Sequence, residues 1–484
     1  MTDAPAVQPP EGARPRSAVA TGAEVIERRS GGGRRATVLG RARDLAARRP
    51  WLLVAAICGL ALLARVIYVL TLGPAIAWYD GEHYSRLAAG LIQTGRYDNE
   101  RGHPSAFWPP GYPFLLAAVY RFFGVNVTAV RLAQCLIGAA GVGMVQRIAR
   151  RVVDPASTWL AALAAALYPL FIYSAGAFFP VTLLIALMAG VVLFVLLALE
   201  RRSAVAALTA GALAGWEGLT NGSTLLALLL VAPWMAWAIA PVPGAAPGDD
   251  GGWGGAAPRA GRRGGVGLAL LYLLPLTLIV GGWTLRNQLV LGRPVIVSCN
   301  AGYNVWLGNY PGVQASTGNR MDQPGMNEEA ARIWSQTGGE AVRDRAFSRR
   351  ALAYIRADLP RFLRLSLQKG LGLWALYAEP MTENRPRMRL EKLASILSYG
   401  VLLPFALAWL FLTLRRNRIS ALILILFLSF TLVHAVSLSK VRYRLPLDSF
   451  VIIYGVGGAI ALLRTLARRA ARSRPAGAPA ANAG

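Results

Sequence analysis

Trp51-Leu52-Leu53-Val54-Ala55-Ala56-Ile57-Cys58-Gly59-Leu60-Ala61-Leu62-Leu63-Ala64-Arg65-Val66-Ile67-Tyr68-Val69-Leu70-Thr71-Leu72 is followed, five residues on, by Trp78-Tyr79-Asp80-Gly81-Glu82-His83-Tyr84. A helix needs about 20 apolar residues to cross a bilayer, and the first run supplies them with Arg65 as its one charge. The acidic cluster beyond it therefore emerges at the far membrane surface, near the lipid headgroups. A base at that address can act on a lipid-linked substrate.

The whole chain agrees with a membrane reading. It is 55% hydrophobic and 15% charged, with a mean hydropathy of +0.43. Its net charge of +27 is nearly all arginine, and lysine occurs only at 369, 392 and 440. An Ala-, Gly- and Arg-rich chain with so little lysine points to a high-GC bacterial genome. The arginines gather at the ends of apolar segments. That placement suits orientation by the positive-inside bias and argues against nucleic acid as a partner. Cys58, Cys135 and Cys299 form no disulfide framework. The run from Trp51 follows a long polar stretch, so it reads as an uncleaved anchor rather than a signal peptide.

Candidate spans are 51–72, 127–149, 157–175, 178–199, 204–221, 223–240, 266–285, 393–414, 419–438 and 446–464. They describe an all-α polytopic protein with about ten transmembrane helices. With ten spans, the clusters Arg147/Arg150/Arg151, Arg201/Arg202, Arg259/Arg262/Arg263 and Arg415/Arg416/Arg418 all fall on the cytoplasmic side, as do both termini. The expected organisation is a basic disordered tail (1–50), a transmembrane catalytic bundle (51–285), an outer loop region (286–392), the C-terminal transmembrane helices (393–464) and a second tail (465–484). The inner linker Pro241–Gly265 is Gly/Pro-rich and flexible by composition.

The first outer loop, 73–126, holds two amphipathic stretches, 82–94 and 112–123. Both are too short to cross and should lie along the membrane surface. Asp80, His83, Tyr84, Leu87, Ala88 and Leu91 share one face at helical spacing, and Glu82 falls on the opposite side. Gly95 is a plausible stop for this helix. Asp80 suits an N-cap as well as a catalytic base, and the two roles are compatible. In Trp108-Pro109-Pro110-Gly111-Tyr112-Pro113, the aromatics fit either a membrane interface or a sugar-stacking wall. Nearby His103 is either a phosphate contact or simply exposed.

Arg65, Arg131 and Glu217 lie within spans, toward the outer ends. Intramembrane charges are costly and usually paired, so Glu217 is expected to pair with one of the arginines. Such a pair would lock helices together or border a substrate cavity. Arg286-Asn287 closes the seventh span. Lys440, Arg442 and Arg444 occupy the expected outer turn between the ninth and tenth spans, against the positive-inside trend. Arginine binds phosphate bidentately and lysine as a point charge, so this cluster is a candidate phosphate site.

These pieces, in this order, resemble bacterial GT-C-type glycosyltransferases of the family 39 group. That group contains protein O-mannosyltransferases, lipid A aminoarabinose transferases and lipopolysaccharide galacturonosyltransferases. The resemblance runs over about residues 51–464. It rests on Asp80 with Tyr84 and Gly95, on Pro109-Pro110-x-Tyr112 and on Arg286-Asn287. It continues through Ser298-Cys299-Asn300-Ala301-Gly302-Tyr303-Asn304-Val305-Trp306-Leu307-Gly308-Asn309 to Arg442-Tyr443-Arg444-Leu445-Pro446. It implies a hexosyl- or pentosyltransferase in the bacterial cytoplasmic membrane, working on the outer face. The donor would be a polyprenyl-phosphate sugar; the acceptor would be an envelope glycolipid, glycan or protein. Asp80 matches the base, with Glu82, His83, Tyr84 and Glu217 in support. Arg286, Lys440, Arg442 and Arg444 would hold the donor phosphate, and His103, Trp108, Tyr112 and Asn309 the sugar or acceptor.

The chain also departs from that group. Gly81 separates two acids that are often adjacent, His83 stands where a basic residue is frequent, and Trp108 replaces a lysine. Phe179-Pro180-Val181-Thr182 lacks a frequent glutamate. These departures argue against a close aminoarabinose or protein mannosyltransferase. Asp80, Glu82 and His83 offer donors to a divalent metal, yet their spacing does not demand one. Two other readings compete. A lipid or glycan transporter would carry polar residues through mid-membrane, whereas the ionisable residues here concentrate at the outer ends. An O-antigen-type ligase or polymerase would place key arginines in the large loop, which 286–392 does contain.

Overall fold

The computed structural model describes residues 49–76, 79–238, 263–315, 323–376 and 392–472. The basic tail before residue 49, most of the inner linker and the last twelve residues lie outside the described residues, as does Trp78. The chain divides into two units, Met1–Leu53 and Val54–Gly484. Of the first, only the beginning of the first helix is described.

Helix is the only regular structure among the described residues, with no strand among them; an isolated antiparallel bridge joins Asp98 to Pro104. Among the described residues, eight helices are long and apolar enough to cross a membrane. The first is α1 (Pro50–Leu70). Two short helices follow, α2 (Tyr79–Thr94) and α3 (Gly111–Phe123), where the amphipathic stretches were expected. Gly95 ends α2 in the left-handed region, with φ +69°. Next come α4 (Val127–Ala149), α5 (Pro155–Leu167) and α6 (Pro169–Gly176), the last two forming one bent span. The bend has a local cause. Pro169 has no N–H to donate and disfavours helical backbone at Tyr168, which is extended (ψ 118°).

Helix α7 (Val181–Arg201) is the centre of the bundle: 89% of its most apolar window is buried, against 17% for α1. Helices α8 (Ala204–Thr220) and α9 (Leu225–Ala238) occupy the fifth and sixth expected spans. Asn221 and a 3-10 turn (Gly222–Thr224) interrupt the apolar run between them, so the two expected spans meet at a short break in the helix. Helix α10 (Arg263–Leu291) leads to the second long loop.

That loop carries α11 (Ala301–Asn309), α12 (Met326–Gln336), α13 (Glu340–Ala357) and α14 (Leu359–Leu373). Trp306, Met326, Phe347, Ala351 and Leu438 close a hydrophobic core there. Leu438 belongs to the segment preceding the last helix, so this core ties the loop to the cationic stretch at 440. Lys369 reinforces the tie. It is 2% exposed and donates to the Gly308 and Ser437 carbonyls at 3.2 and 2.9 Å. Burial, then the charge of Arg361, pushes its ammonium down to about 7.

The closing helices are α15 (Val401–Thr413, preceded by a π turn at Ile396–Gly400), α16 (Arg418–Val436) and α17 (Val441–Arg472). Helix α17 departs from the expected 446–464 at both ends. It starts five residues earlier, so Arg442 and Arg444 lie on its first turns and not in a connecting turn. Its far end continues through the first part of the expected tail, as far as Arg472.

Candidate active site

Helix α2 begins at Tyr79, so Asp80 stands inside the first turn and not at the N-cap. Its neighbour Gly81 has a steric reason to be glycine. A Cβ there would lie 2.9 Å from the Phe178 carbonyl oxygen and 3.1 Å from the Phe178 Cβ. The residue that separates the two acids thus lets α2 pack directly on the residues leading into α7. Arg131 fixes the approach to α2 by donating to the Gly73 and Ala75 carbonyls at 2.6 and 3.0 Å.

A cavity of about 2360 Å³ opens between the first loop, the second loop and the start of α17. Asp80, His83, Tyr84, His103, Trp108, Lys440 and Arg442 all line it. Asp80 Oδ2 lies 3.7 Å from an Arg442 terminal nitrogen, although the two residues are far apart in the chain. The Arg442 guanidinium also sits over the Phe179 ring, 4.8 Å from its centroid. Lys440 completes the group. Burial and the Arg442 charge push its ammonium down to about 6, against the pull of Asp80. A carboxylate, a guanidinium and an easily deprotonated amine therefore share one wall.

The rest of this wall is aromatic. His83 stacks on Trp108 at 5.6 Å, and its Nδ1 lies 3.0 Å from Glu100 Oε1. Burial lowers the His83 pKa, Arg86 lowers it further, and Glu100, Asp80 and Glu82 oppose both. Tyr84 packs edge-on against Trp108 and Tyr112, at 5.2 and 5.3 Å. Burial first, then Asp80, holds its phenol well above the ordinary range. His103 is exposed at the rim.

Six expected site residues stand elsewhere. Glu82 is exposed on the far side of α2. Tyr112 is fully buried beneath the wall and donates to Gln134 Oε1 at 2.8 Å, so it supports Tyr84 from behind. Arg286 is spent on the first loop, donating to the Ser105 and Tyr97 carbonyls at 2.7 and 3.0 Å. Asn309 donates to the Val305 and Val436 carbonyls at 2.8 and 2.9 Å and accepts from Lys369. Arg444 is 0% exposed, paired with Asp448 at 3.2 Å and lying over the Tyr399 ring. None of these lines the cavity.

Glu217 is the sixth, and its expected arginine partner is absent. It is fully buried, and neither carboxyl oxygen has a partner among the described residues. Arg65 donates instead to the Ala61 and Ala166 carbonyls, and Arg131 to carbonyls that include Gly176. The bend at Tyr168 explains Arg65: it leaves the last carbonyls of α5 without partners in their own helix.

Several working residues escaped the sequence reading. Glu340 accepts from Ser105 Oγ at 2.8 Å and from the Ala106 N–H at 2.7 Å, joining the two loops across the cavity. The available signal was Gly338-Gly339-Glu340, an acid at the first helical position after a glycine with φ +73°. Lys369 gave no comparable signal, because its partners come from distant segments; Asp448 stands four residues after Arg444, a spacing that counts only once α17 is seen to begin before Pro446. Among the described residues, no group of three or more His, Cys, Asp or Glu is placed to hold a metal ion.

Residues 107–241 match the family model described as dolichyl-phosphate-mannose-protein mannosyltransferase. The stretch includes Trp108, the double proline and Tyr112, and over it the resemblance to GT-C-type glycosyltransferases is borne out. No curated protein matches the chain. Among solved structures, the oligosaccharyltransferase AglB from Archaeoglobus fulgidus, in complex with an inhibitory peptide and a dolichol-phosphate, is similar at 15% identity and a TM-score of 0.48. The alignment covers 88% of this chain and 52% of that one. The chain thus spans about half the length of that archaeal protein. ArnT from Cupriavidus metallidurans bound to undecaprenyl phosphate is similar at 16% identity and a TM-score of 0.35, over 89% of this chain and 81% of that one.

Proposed function

We propose that this polytopic membrane protein transfers a sugar from a polyprenyl-phosphate donor to an envelope glycolipid, glycan or protein, on the outer face of the bacterial cytoplasmic membrane. The observation that carries the reading is the meeting of Asp80 with Arg442 and Lys440 on one cavity wall. Asp80 takes the proton of the acceptor hydroxyl as its oxygen attacks the anomeric carbon. The bond from that carbon to the phosphate oxygen breaks, and the electron pair leaves with the polyprenyl phosphate. Arg442 and Lys440 stabilise the charge that develops on the departing group. The aromatic side chains of Trp108 and Tyr84 supply a face for the sugar.

Arg442→Ala tests the phosphate role. A hydrogen bond to a charged group contributes roughly 1.5–3 kcal/mol, so donor binding should weaken about 10- to 100-fold. Titrating undecaprenyl phosphate into the purified variant measures this. An affinity equal to wild type would remove Arg442 from the phosphate site.

Lys440 makes the affinity depend on pH. Its amine is charged below about 6 in the empty site and neutral above. A phosphodiester donor keeps one negative charge throughout and favours the charged amine. Donor affinity should therefore fall as pH rises above 6, by up to about tenfold per unit until the pKa of the bound form is passed. Lys440→Met should flatten the profile. A wild-type profile that is flat between pH 5.5 and 8 would contradict this role.

A further inference from the structure

The cavity is much larger than the group around Asp80, and its wall continues in one direction. His83 stacks on Trp108; Trp108 meets Phe107 at 5.2 Å; Phe107 meets Trp334 at 5.9 Å. The Arg343 guanidinium then lies 4.0 Å from the Trp334 ring centroid. A continuous aromatic shelf thus runs from the residue one helical turn beyond Asp80 to an arginine on the second loop. Sugars stack their apolar faces on such rings, so the shelf can carry more than one residue of a saccharide.

The charges along this wall are not balanced. Glu100 is 2.7 Å from Arg86, Asp98 is 3.0 Å from Arg96, and both Glu340 oxygens are occupied by Ser105 and Ala106. Arg343 is different. Its Nε is buried without a partner among the described residues. Burial lowers its pKa, Glu340 raises it, and the charge of Arg101, on the same wall, lowers it again. Two guanidinium groups therefore face one part of the cavity against a single carboxylate, Glu340, whose hydrogen bonds come from neutral donors and leave its charge in place, so this part of the wall carries one cation in excess. An excess guanidinium held over an aromatic ring at a cavity wall suits an anionic group on a ligand.

We propose that Arg343 and Trp334, with Arg101, form an acceptor subsite for a saccharide bearing an acidic group, phosphate or carboxylate, whose sugar rings lie along the shelf toward Asp80. This deepens the transferase reading and rests on it for the direction of transfer.

The test is calorimetry on the purified full-length protein with undecaprenyl phosphate at saturation, so that the Lys440–Arg442 site is filled. Glucose 6-phosphate and glucuronate are titrated against glucose. Wild type should prefer an acidic sugar by roughly tenfold or more, and the stronger of the two names the anion. Arg343→Gln should erase the preference, Arg343→Lys should keep much of it, and undecaprenyl phosphate affinity should stay at the wild-type value in both. The two acidic probes binding no better than glucose, or a preference that survives in Arg343→Gln, would overturn the subsite. A failure of the wild-type protein to bind undecaprenyl phosphate would instead sink the donor reading, and the comparison of wild type with Arg343→Gln would still decide the subsite.

Discussion

Asp80→Asn should lower sugar transfer by about 10²–10⁴-fold, the usual contribution of a positioned general base, while the protein folds and inserts normally. The substitution keeps the shape and some of the hydrogen bonding of the side chain but removes its basicity. The structural cost is small. The contact with Arg442 is 3.7 Å long, and the carboxylate is about one-third exposed; a pair of that kind contributes roughly 0–1 kcal/mol. The kinetic signature is equally specific. Removing the carboxylate frees Arg442 for the donor phosphate, so donor affinity should hold or tighten while kcat falls. Transfer from a polyprenyl-phosphate sugar, followed beside undecaprenyl phosphate binding in the same preparation, separates the two. Near-wild-type kcat in Asp80→Asn, with loss of folded protein in Asp80→Ala, would make Asp80 a structural residue of α2.

The contrast between Asp80 and Glu217 shows where the sequence was legible. The place of Asp80 beside His83 and Tyr84 on one wall was legible because its setting is local: an apolar run of known length, then a short amphipathic helix whose spacing puts the three on the same face. Span positions were equally legible, since each of the ten expected segments coincides with apolar helix. Glu217 failed for the opposite reason. Its expected partners were taken by backbone carbonyls: Arg131 by Gly73, Ala75 and Gly176, and Arg65 by Ala61 and by Ala166, whose carbonyl is freed by the break at Tyr168. A break that frees acceptors is visible in sequence as Pro169, but which side chain reaches them depends on how α1 packs against the bend.

The cationic cluster at 440–444 divides along the same line. As residues in a turn, Lys440, Arg442 and Arg444 seemed equivalent. As the start of a helix, they are not. Helical spacing turns Arg442 toward the cavity and Arg444 inward, where α17 meets the broken span and the π turn. Sequence alone placed the charge at the correct end of the bundle but could not assign each arginine a direction, because the start of α17 lies ahead of Pro446 and within what looked like a loop.

Arg444 therefore carries a different prediction, and a large one. Its guanidinium is 0% exposed, pairs with Asp448 at 3.2 Å, stacks 3.4 Å from the Tyr399 centroid and donates to the Leu373 and Ala375 carbonyls. Asp448 in turn accepts from Tyr168 at 3.0 Å, so one network joins α14, α17, the π turn and the bend. Arg444→Ala leaves a buried carboxylate without its counter-charge, which costs about 3–5 kcal/mol. Thermal unfolding in detergent should show a marked fall in melting temperature for Arg444→Ala. Replacing both members, as Arg444→Met with Asp448→Leu, should recover much of the loss, because two apolar side chains of similar size need no partner. The fraction that stays folded in Arg444→Ala should bind undecaprenyl phosphate like wild type, in contrast to Arg442→Ala. If Arg444→Ala kept its stability and lost donor affinity, Arg444 would belong with Arg442 on the phosphate, and the start of α17 would have to turn the other way.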